Sequence, residues 1–309
     1  MSHHLLITNK MVKVCEPELE AIYQVERLYN QNDPLKFLAG NGDKYRAIAG
    51  ADVSAEMMAL MPNLEMISSF GVGYDSVDIA AAKARNIRVT NTPDVLNDAM
   101  AEITVGLMIA LSRRLVEAHN FVVKGGWENA GFPLQSELRG KTVGIIGLGR
   151  IGKEIAARAQ AMKMRVVYFG RTHQHDQPYV YYDDLKHMAR DVDWLVAMTP
   201  GGAGTDKLVD AEILDALGEK GYFVNMARGS VVDQAALVAA LENKKLAGAV
   251  LDVFADEPHV PDALKNMDNV VLSPHQGSAT TQTRAAMGAL VMANLAAFFA
   301  DEPLLTQVV

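Results

Sequence analysis

Three ionisable residues stand directly behind apolar runs in the second half of the chain: Arg228 in NMARGSVVD, Glu257 in LDVFADEPHVP and His275 in LSPHQGSAT. The runs that lead into them (YFVNMA, AGAVLDV, NVVLSP) are apolar or β-branched at nearly every position, as strands buried on both faces of a parallel sheet must be. Residues just past the carboxyl ends of such strands collect on one rim of the sheet, where ligands bind. The three can therefore converge although 29 and 18 positions separate them. An imidazole there can donate a proton to an oxygen that is gaining negative charge. A carboxylate beside it orients the ring and favours its charged form. A guanidinium can hold a carboxylate and polarise a carbonyl through charge-assisted hydrogen bonds. Together they suit hydride delivery to the keto carbon of a 2-keto acid. Taken singly, an Arg, Glu or His at a strand end is more often a surface or structural residue, and Glu257-Pro258 alone could be only a turn.

A hydride donor needs a site, and the stretch KTVGIIGLGRIGKEIAARAQAM offers one. Gly147, Gly149 and Gly152 form a G-x-G-x-x-G between a buried strand and an Ala-rich helix, the context that makes the pattern specific. Gly147 permits the tight turn, Gly149 lets the backbone approach a pyrophosphate, and Gly152 lets helix pack on strand. Leu148 lies inside the turn, and the amides of Arg150 and Ile151 open the helix toward phosphate oxygens. The next strand ends Tyr168-Phe169-Gly170-Arg171-Thr172-His173, where an acid would bind the ribose hydroxyl of NAD. No acid occurs between Glu154 and Asp176. Arg171 can pair with a 2′-phosphate and Thr172 can add a donor, so the expected cofactor is NADPH (NADP+).

The elements that must position these residues alternate short apolar runs with helical patterns, the order of α/β folds with parallel sheets. In the first hundred residues strands are expected at 5–8, 46–50, 64–69 and 87–91, with helical segments at 53–60 and 77–85. A second series starts at 142 and continues at 165–170, 193–198, 222–227, 247–253 and 269–274. Two long helical patterns, about 96–123 and 280–300, join the halves, the first with Ile103, Leu107, Ala110 and Leu111 on one face. The expected division is residues 1–98 with 285–309 as a substrate domain and 99–284 as a nucleotide domain, the cleft between them holding the chemistry. After LEMISS comes Phe70-Gly71-Val72-Gly73, whose glycines allow the amides of Val72 and Gly73 to form an anion nest. An ordinary strand-ending turn explains that stretch equally well.

With 309 residues, two domains are expected. Half the residues are hydrophobic and 21% are charged, an ordinary globular balance. A net charge of −8 argues against a surface built for nucleic acid or anionic lipid. One cysteine, Cys15, allows no intrachain disulfide, and no zinc motif or other metal site is expected. No apolar stretch reaches the ~18 residues of a membrane span, and the start lacks a secretory pattern. A cytoplasmic protein is expected.

With those residues in place, the sequence resembles the D-isomer-specific 2-hydroxyacid dehydrogenases. The resemblance runs from about Pro62 to the C-terminus and is weakest before it. It rests on SSFGVGYDSVD (68–78), VTNTPDVLNDAMAE (89–102), ELRGKTVGIIGLGRIG (137–152), ARGSVVD (227–233), LDVFADEP (251–258) and SPHQGSAT (273–280). It implies two doubly wound parallel-sheet domains, a Rossmann nucleotide domain and a flavodoxin-like substrate domain, with a cleft between them. It makes Arg228 the substrate-binding arginine, His275 the acid/base and Glu257 its partner, with the Val72 and Gly73 amides on the substrate carboxylate. Thr104, Thr199, Met226, Asp252 and Gly277 match positions that line the cofactor, joined by Leu148, Ala227 and His275. The nearest branches are the NADPH-using hydroxypyruvate/glyoxylate reductases and the hydroxyphenylpyruvate reductases. Gln276 departs from the family, which usually has an apolar residue there. The resemblance also implies a homodimer in which GGWENAGFPLQ, with Trp127 and Phe132, packs at the interface; a partner aromatic closing the pocket is the other reading. Two functional alternatives stay open: a dehydrogenase for a phenylpyruvate- or phosphoglycerate-type acid, and a non-catalytic nucleotide sensor of the same fold.

Overall fold

The computed structural model describes residues 3–309. The chain forms two compact units, Met1–Leu96 with Ser278–Val309, and Asn97–Gly277. The boundaries expected at 98 and 284 both fall inside helices, and the units part just outside them.

In the first unit all five strands run parallel: β1 (His4–Ile7), β2 (Gln24–Arg27), β3 (Ala47–Ala49), β4 (Met66–Ser68) and β5 (Arg88–Thr90), in the order β2-β1-β3-β4-β5. Helices α1 (Glu16–Ile22), α2 (Pro34–Asn41), α3 (Ala55–Ala59) and α4 (Ile79–Ala84) connect them. Leu6, Ile48, Ile67 and Val89 point into one core with Leu38, Met58 and Ala82 from the helices. Strand β2, QVER, was not expected. It is an edge strand carrying charge, so it lacks the apolar run of its neighbours. The C-terminal tail closes the opposite edge. Val308 donates to Val89 O (2.8 Å), and the buried Asn294 of the last helix takes the amides of Leu305 and Thr306 on its Oδ1.

The second unit holds β6 (Thr142–Ile146), β7 (Arg165–Phe169), β8 (Val180–Tyr182), β9 (Trp194–Ala197), β10 (Tyr222–Asn225), β11 (Gly248–Leu251) and β12 (Val270–Leu272). They form one parallel sheet in the order β12-β11-β10-β9-β6-β7-β8, which reverses direction between β6 and β9. Side chains alternate between two cores. Val143, Ile145, Tyr168, Val196 and Val250 pack on one face, and Ile146, Val167, Leu195, Phe223 and Leu251 on the other. The first face is covered by α5 (Asn97–Ser112) and α7 (Arg150–Ala161), and the second by α8 (Leu185–Asp191), α9 (Ala211–Leu217) and α10 (Gln234–Glu242). The unexpected β8, VYY, is again an edge strand.

The long helix expected over 96–123 is two helices, α5 and α6 (Leu115–Val123). Arg114 separates them in the left-handed conformation (φ 48°), a helix stop without the glycine that usually announces one. The buried stripe of α5 is Ala101, Thr104, Met108 and Leu111. Of the face expected from periodicity only Leu111 is fully buried; Ile103, Leu107 and Ala110 are partly exposed. Short α11 (Asp262–Lys265) precedes β12, and α12 (Thr281–Phe299) belongs wholly to the first unit. Among the described residues no helix is long and apolar enough to cross a membrane.

Candidate active site

Strand β6 ends at Ile146, and the glycine turn follows at the point where the sheet order reverses. Gly147 has φ +98°, and a Cβ there would lie 2.5 Å from Met198 O beyond the end of β9. A Cβ on Gly152 would lie 2.3 Å from Gly147 O, so the first turn of α7 sits directly on the strand end. Gly149 differs: nothing lies within 4 Å of a Cβ built on it. The helix it opens is also capped differently from α8, α9 and α10 of the same sheet. Asp184, Asp210 and Asp233 each accept a backbone N–H at the start of α8, α9 and α10. Helix α7 starts at Gly149 with no side-chain cap, which leaves its first-turn donors and positive dipole end to an anion. The open approach at Gly149 and the uncapped helix fit a dinucleotide pyrophosphate.

Arg171 and Thr172 follow β7 and are exposed. Their loop is tied back to the glycine turn, since Gln174 Nε2 donates to Leu148 O (2.8 Å). The remaining expected cofactor residues occupy the strand ends or α5. Thr199 backs onto Gly147, Met226 and Ala227 are buried after β10, and Thr104 is fully buried on α5 with its hydroxyl on Met100 O (2.6 Å). Leu148 is 2% exposed, so its side chain belongs to the core, and only its backbone borders the turn's open side.

The ionisable groups behind β10, β11 and β12 come together. His275 Nδ1 lies 2.7 Å from Glu257 Oε2, and the amide of Phe254 donates to Glu257 Oε1 at 3.0 Å. Burial pushes the Glu257 carboxyl up. The hydrogen bonds from His275 and Phe254 and the charges of His275 and Arg228 outweigh it, and the net value lies below the ordinary 4.5. With Nδ1 engaged, Nε2 is the ring atom left to meet substrate, and the imidazole is about half exposed. The Arg228 loop is set against the Glu257 loop at Gly229, where a Cβ would fall 1.9 Å from Phe254 O. One polar side chain that the sequence reading missed holds the Arg228 loop. Asn225, fully buried at the end of β10, accepts from the Ala227 amide (3.1 Å) and donates to Arg228 O (2.9 Å). Arg228 Nη1 donates to Ala227 O (2.7 Å).

Asp252 has a larger part than expected. It is 1% exposed, and its two oxygens take the Ser273 hydroxyl and the amides of Gln276 and Gly277 (both 2.9 Å). His275 N donates to Asp252 O (2.9 Å), and His275 is held at φ 49°. A non-glycine residue there costs about 1–2 kcal/mol, so the surrounding bonds impose the conformation that presents the ring. Gly277 packs closely against the end of the Met100 side chain, where a Cβ would lie 2.4 Å from Sδ and displace it. At Gln276 the Asp252 carboxylate engages the backbone amide, a bond that does not depend on the side chain there.

In the first unit, Thr92 N donates to Gly71 O (2.8 Å) and Asn91 Nδ2 to Val72 O (2.9 Å). Neither Gly71 nor Gly73 is among the described residues with positive φ, so Val72 and Gly73 do not form a nest by left-handed glycine. Phe70 is 1% exposed under the Arg284 guanidinium and belongs to the core. No group of three or more potential metal-ligating side chains occurs among the described residues.

A sheet that reverses at a glycine turn, followed by an Arg, Glu and His set on its carboxyl rim, defines a dinucleotide-dependent oxidoreductase domain. The comparisons agree. Residues 105–277 match the model of the D-isomer specific 2-hydroxyacid dehydrogenase NAD-binding domain. The chain is 43% identical over 308 residues to glyoxylate/hydroxypyruvate reductase A of Arabidopsis thaliana, covering 99% of this chain and 98% of that one. It is 42% identical to the hydroxyphenylpyruvate reductase of Plectranthus scutellarioides, with the same coverage. Among solved structures, the NADPH-dependent glyoxylate/hydroxypyruvate reductase of Sinorhizobium meliloti, in complex with NADP and malonate, superposes with a TM-score of 0.95. That match is at 41% identity and covers 100% of this chain and 97% of the other. The chain belongs to the D-isomer-specific 2-hydroxyacid dehydrogenase family.

Proposed function

We propose that this protein reduces a small 2-keto acid, glyoxylate or hydroxypyruvate, to the D-2-hydroxy acid with NADPH as the reductant. The observation that carries the reading is the 2.7 Å His275–Glu257 pair with Arg228 beside it. The names of the Arabidopsis and Sinorhizobium relatives support the substrate class, and the Arg171-Thr172 loop supports the cofactor. When bound, the dihydronicotinamide supplies the hydride that reaches the keto carbon. Arg228 pairs with the substrate carboxylate and polarises the keto oxygen, and the Val72 and Gly73 amides serve the same carboxylate. His275 Nε2 gives its proton to that oxygen as the charge develops, so carbonyl, hydride and proton become the hydroxyl. Glu257 holds the ring through Nδ1 and stabilises its charged form. A larger, aromatic 2-keto acid is the second reading, supported by the hydroxyphenylpyruvate reductase relative. The reading includes a homodimer working in the cytoplasm.

The test is oxidation of NADPH and of NADH, followed by absorbance, with glyoxylate, hydroxypyruvate, pyruvate and phenylpyruvate, and His275→Ala as control. NADPH-preferring turnover is expected, reduced about 10²–10⁴-fold in the control. NADPH binding without turnover of any acid would replace the reading with a nucleotide sensor.

A further inference from the structure

The segment Gly170-Arg171-Thr172-His173-Gln174-His175 leaves β7 without regular secondary structure, yet it is held on either side of Arg171 and Thr172. The Gln174 amide donates to the hydroxyl of Tyr168 (2.7 Å), a residue with no exposed surface. The Gln174 side chain reaches across to the Leu148 carbonyl (2.8 Å), inside the Gly147–Gly149 turn. Tyr181 of β8 donates to Gly170 O (3.1 Å), packs against Tyr168, and stacks on His173 with ring centroids 5.0 Å apart and 6° between planes. Gln174 thus connects two stretches 26 positions apart. One faces a pyrophosphate and the other carries Arg171 and Thr172.

We infer that Gln174 is a positioning residue for cofactor selection, holding the Arg171-Thr172 pair in register with the glycine turn. The inference rests on the NADPH reading. The pyrophosphate and the 2′-phosphate of one ligand lie at a set separation, so both subsites must be fixed together to be used together. A loop that is already ordered does not lose that conformational freedom on binding. A cofactor without the 2′-phosphate makes no use of Arg171 and is indifferent to the clip. A glutamine that only supports the domain would affect both cofactors alike.

Steady-state kinetics of Gln174→Met, which keeps the volume and removes the donor, separate the two roles. The KM for NADPH is expected to rise about fivefold, the worth of one hydrogen bond, with kcat and the KM for NADH within about twofold of wild type. In Arg171→Ala, which removes the guanidinium that reads the phosphate, adding Gln174→Met is expected to have little further effect on NADPH. Gln174→Ala, which removes the same bond, and Tyr168→Phe, which removes the hydroxyl that accepts from the Gln174 amide, are expected to shift the NADPH KM in the same direction. Equal loss with both cofactors, or no change with either, overturns the inference while the NADPH reading stands. If Arg171→Ala leaves the NADPH-to-NADH ratio unchanged, the 2′-phosphate reading fails and the clip with it.

Discussion

At the scale of single residues, the Glu257 carboxylate carries the testable electrostatics, because it is hydrogen-bonded on both oxygens with its side chain 34% exposed, within reach of the Arg228 charge. Its value in the fold lies below the ordinary 4.5, so the carboxylate contributes stability that is fully present above about that pH. That contribution is lost as pH falls through the depressed folded value. In denaturant titrations the gap between wild type and Glu257→Gln is expected to be widest near neutrality and to narrow through the acid limb. A gap independent of pH would show that the charge has no stabilising part. The same substitution leaves Nδ1 of His275 without a carboxylate, and kcat is expected to fall about tenfold or more while NADPH affinity holds. Both loops around this pair are kept by side chains with no catalytic signature. Asn225 reads as a strand-end residue; Asp252 is expected only among the positions lining the cofactor, and its part in holding His275 depends on partners up to 25 positions away. The one local signal was the Asn followed at short range by a turn, a pattern that favours side-chain to backbone bonds.

The elements around the glycine turn make three substitutions that look alike in sequence behave differently. Gly147→Ala puts a methyl 2.5 Å from a backbone carbonyl at φ +98° and is expected to cost about 1–3 kcal/mol of stability. Gly152→Ala meets Gly147 O at 2.3 Å and is expected to destabilise through helix–strand separation. Gly149→Ala meets no protein atom within 4 Å, so thermal unfolding should be unchanged while the KM for NADPH rises. A melting temperature for Gly149→Ala as low as that of Gly147→Ala would contradict a ligand-facing role for this glycine. Element boundaries were less legible. The stop between α5 and α6 falls on Arg114, a residue type with no special claim to positive φ, so nothing in the local sequence announces it. The buried stripe of α5 includes Thr104, whose hydroxyl is satisfied within its own helix at Met100 O. A periodicity counted on apolar residues passes over such a position.

For the molecule as a whole, the second unit presents apolar residues that its own core does not use. Helix α6 buries none of its nine residues, and Val122, Val123 and Trp127 are 53%, 69% and 71% exposed, with Leu134 fully so. The homodimer proposed above would cover these residues. Val123→Asp would bury an unpaired charge there, and light scattering is expected to report half the wild-type mass while the protein stays folded. A monomeric wild type would remove the dimer from the proposal.

The sequence by itself determined the parallel α/β class, the buried strands, the glycine turn and the residues that follow the strand ends, because those follow from local rules. A buried parallel strand must be apolar along its length, a tight strand-to-helix turn must be glycine, and a residue after a strand end must lie on the rim. The tertiary structure decided what depends on neighbours remote in sequence. Strands β2 and β8 exist because a sheet edge accepts polar residues that no core would hold. His275 takes its strained backbone because Asp252 gathers the amides around it. Arg171 stands at a defined place because Gln174 reaches Leu148 across the sheet end, a hydrogen bond whose partners share no local pattern.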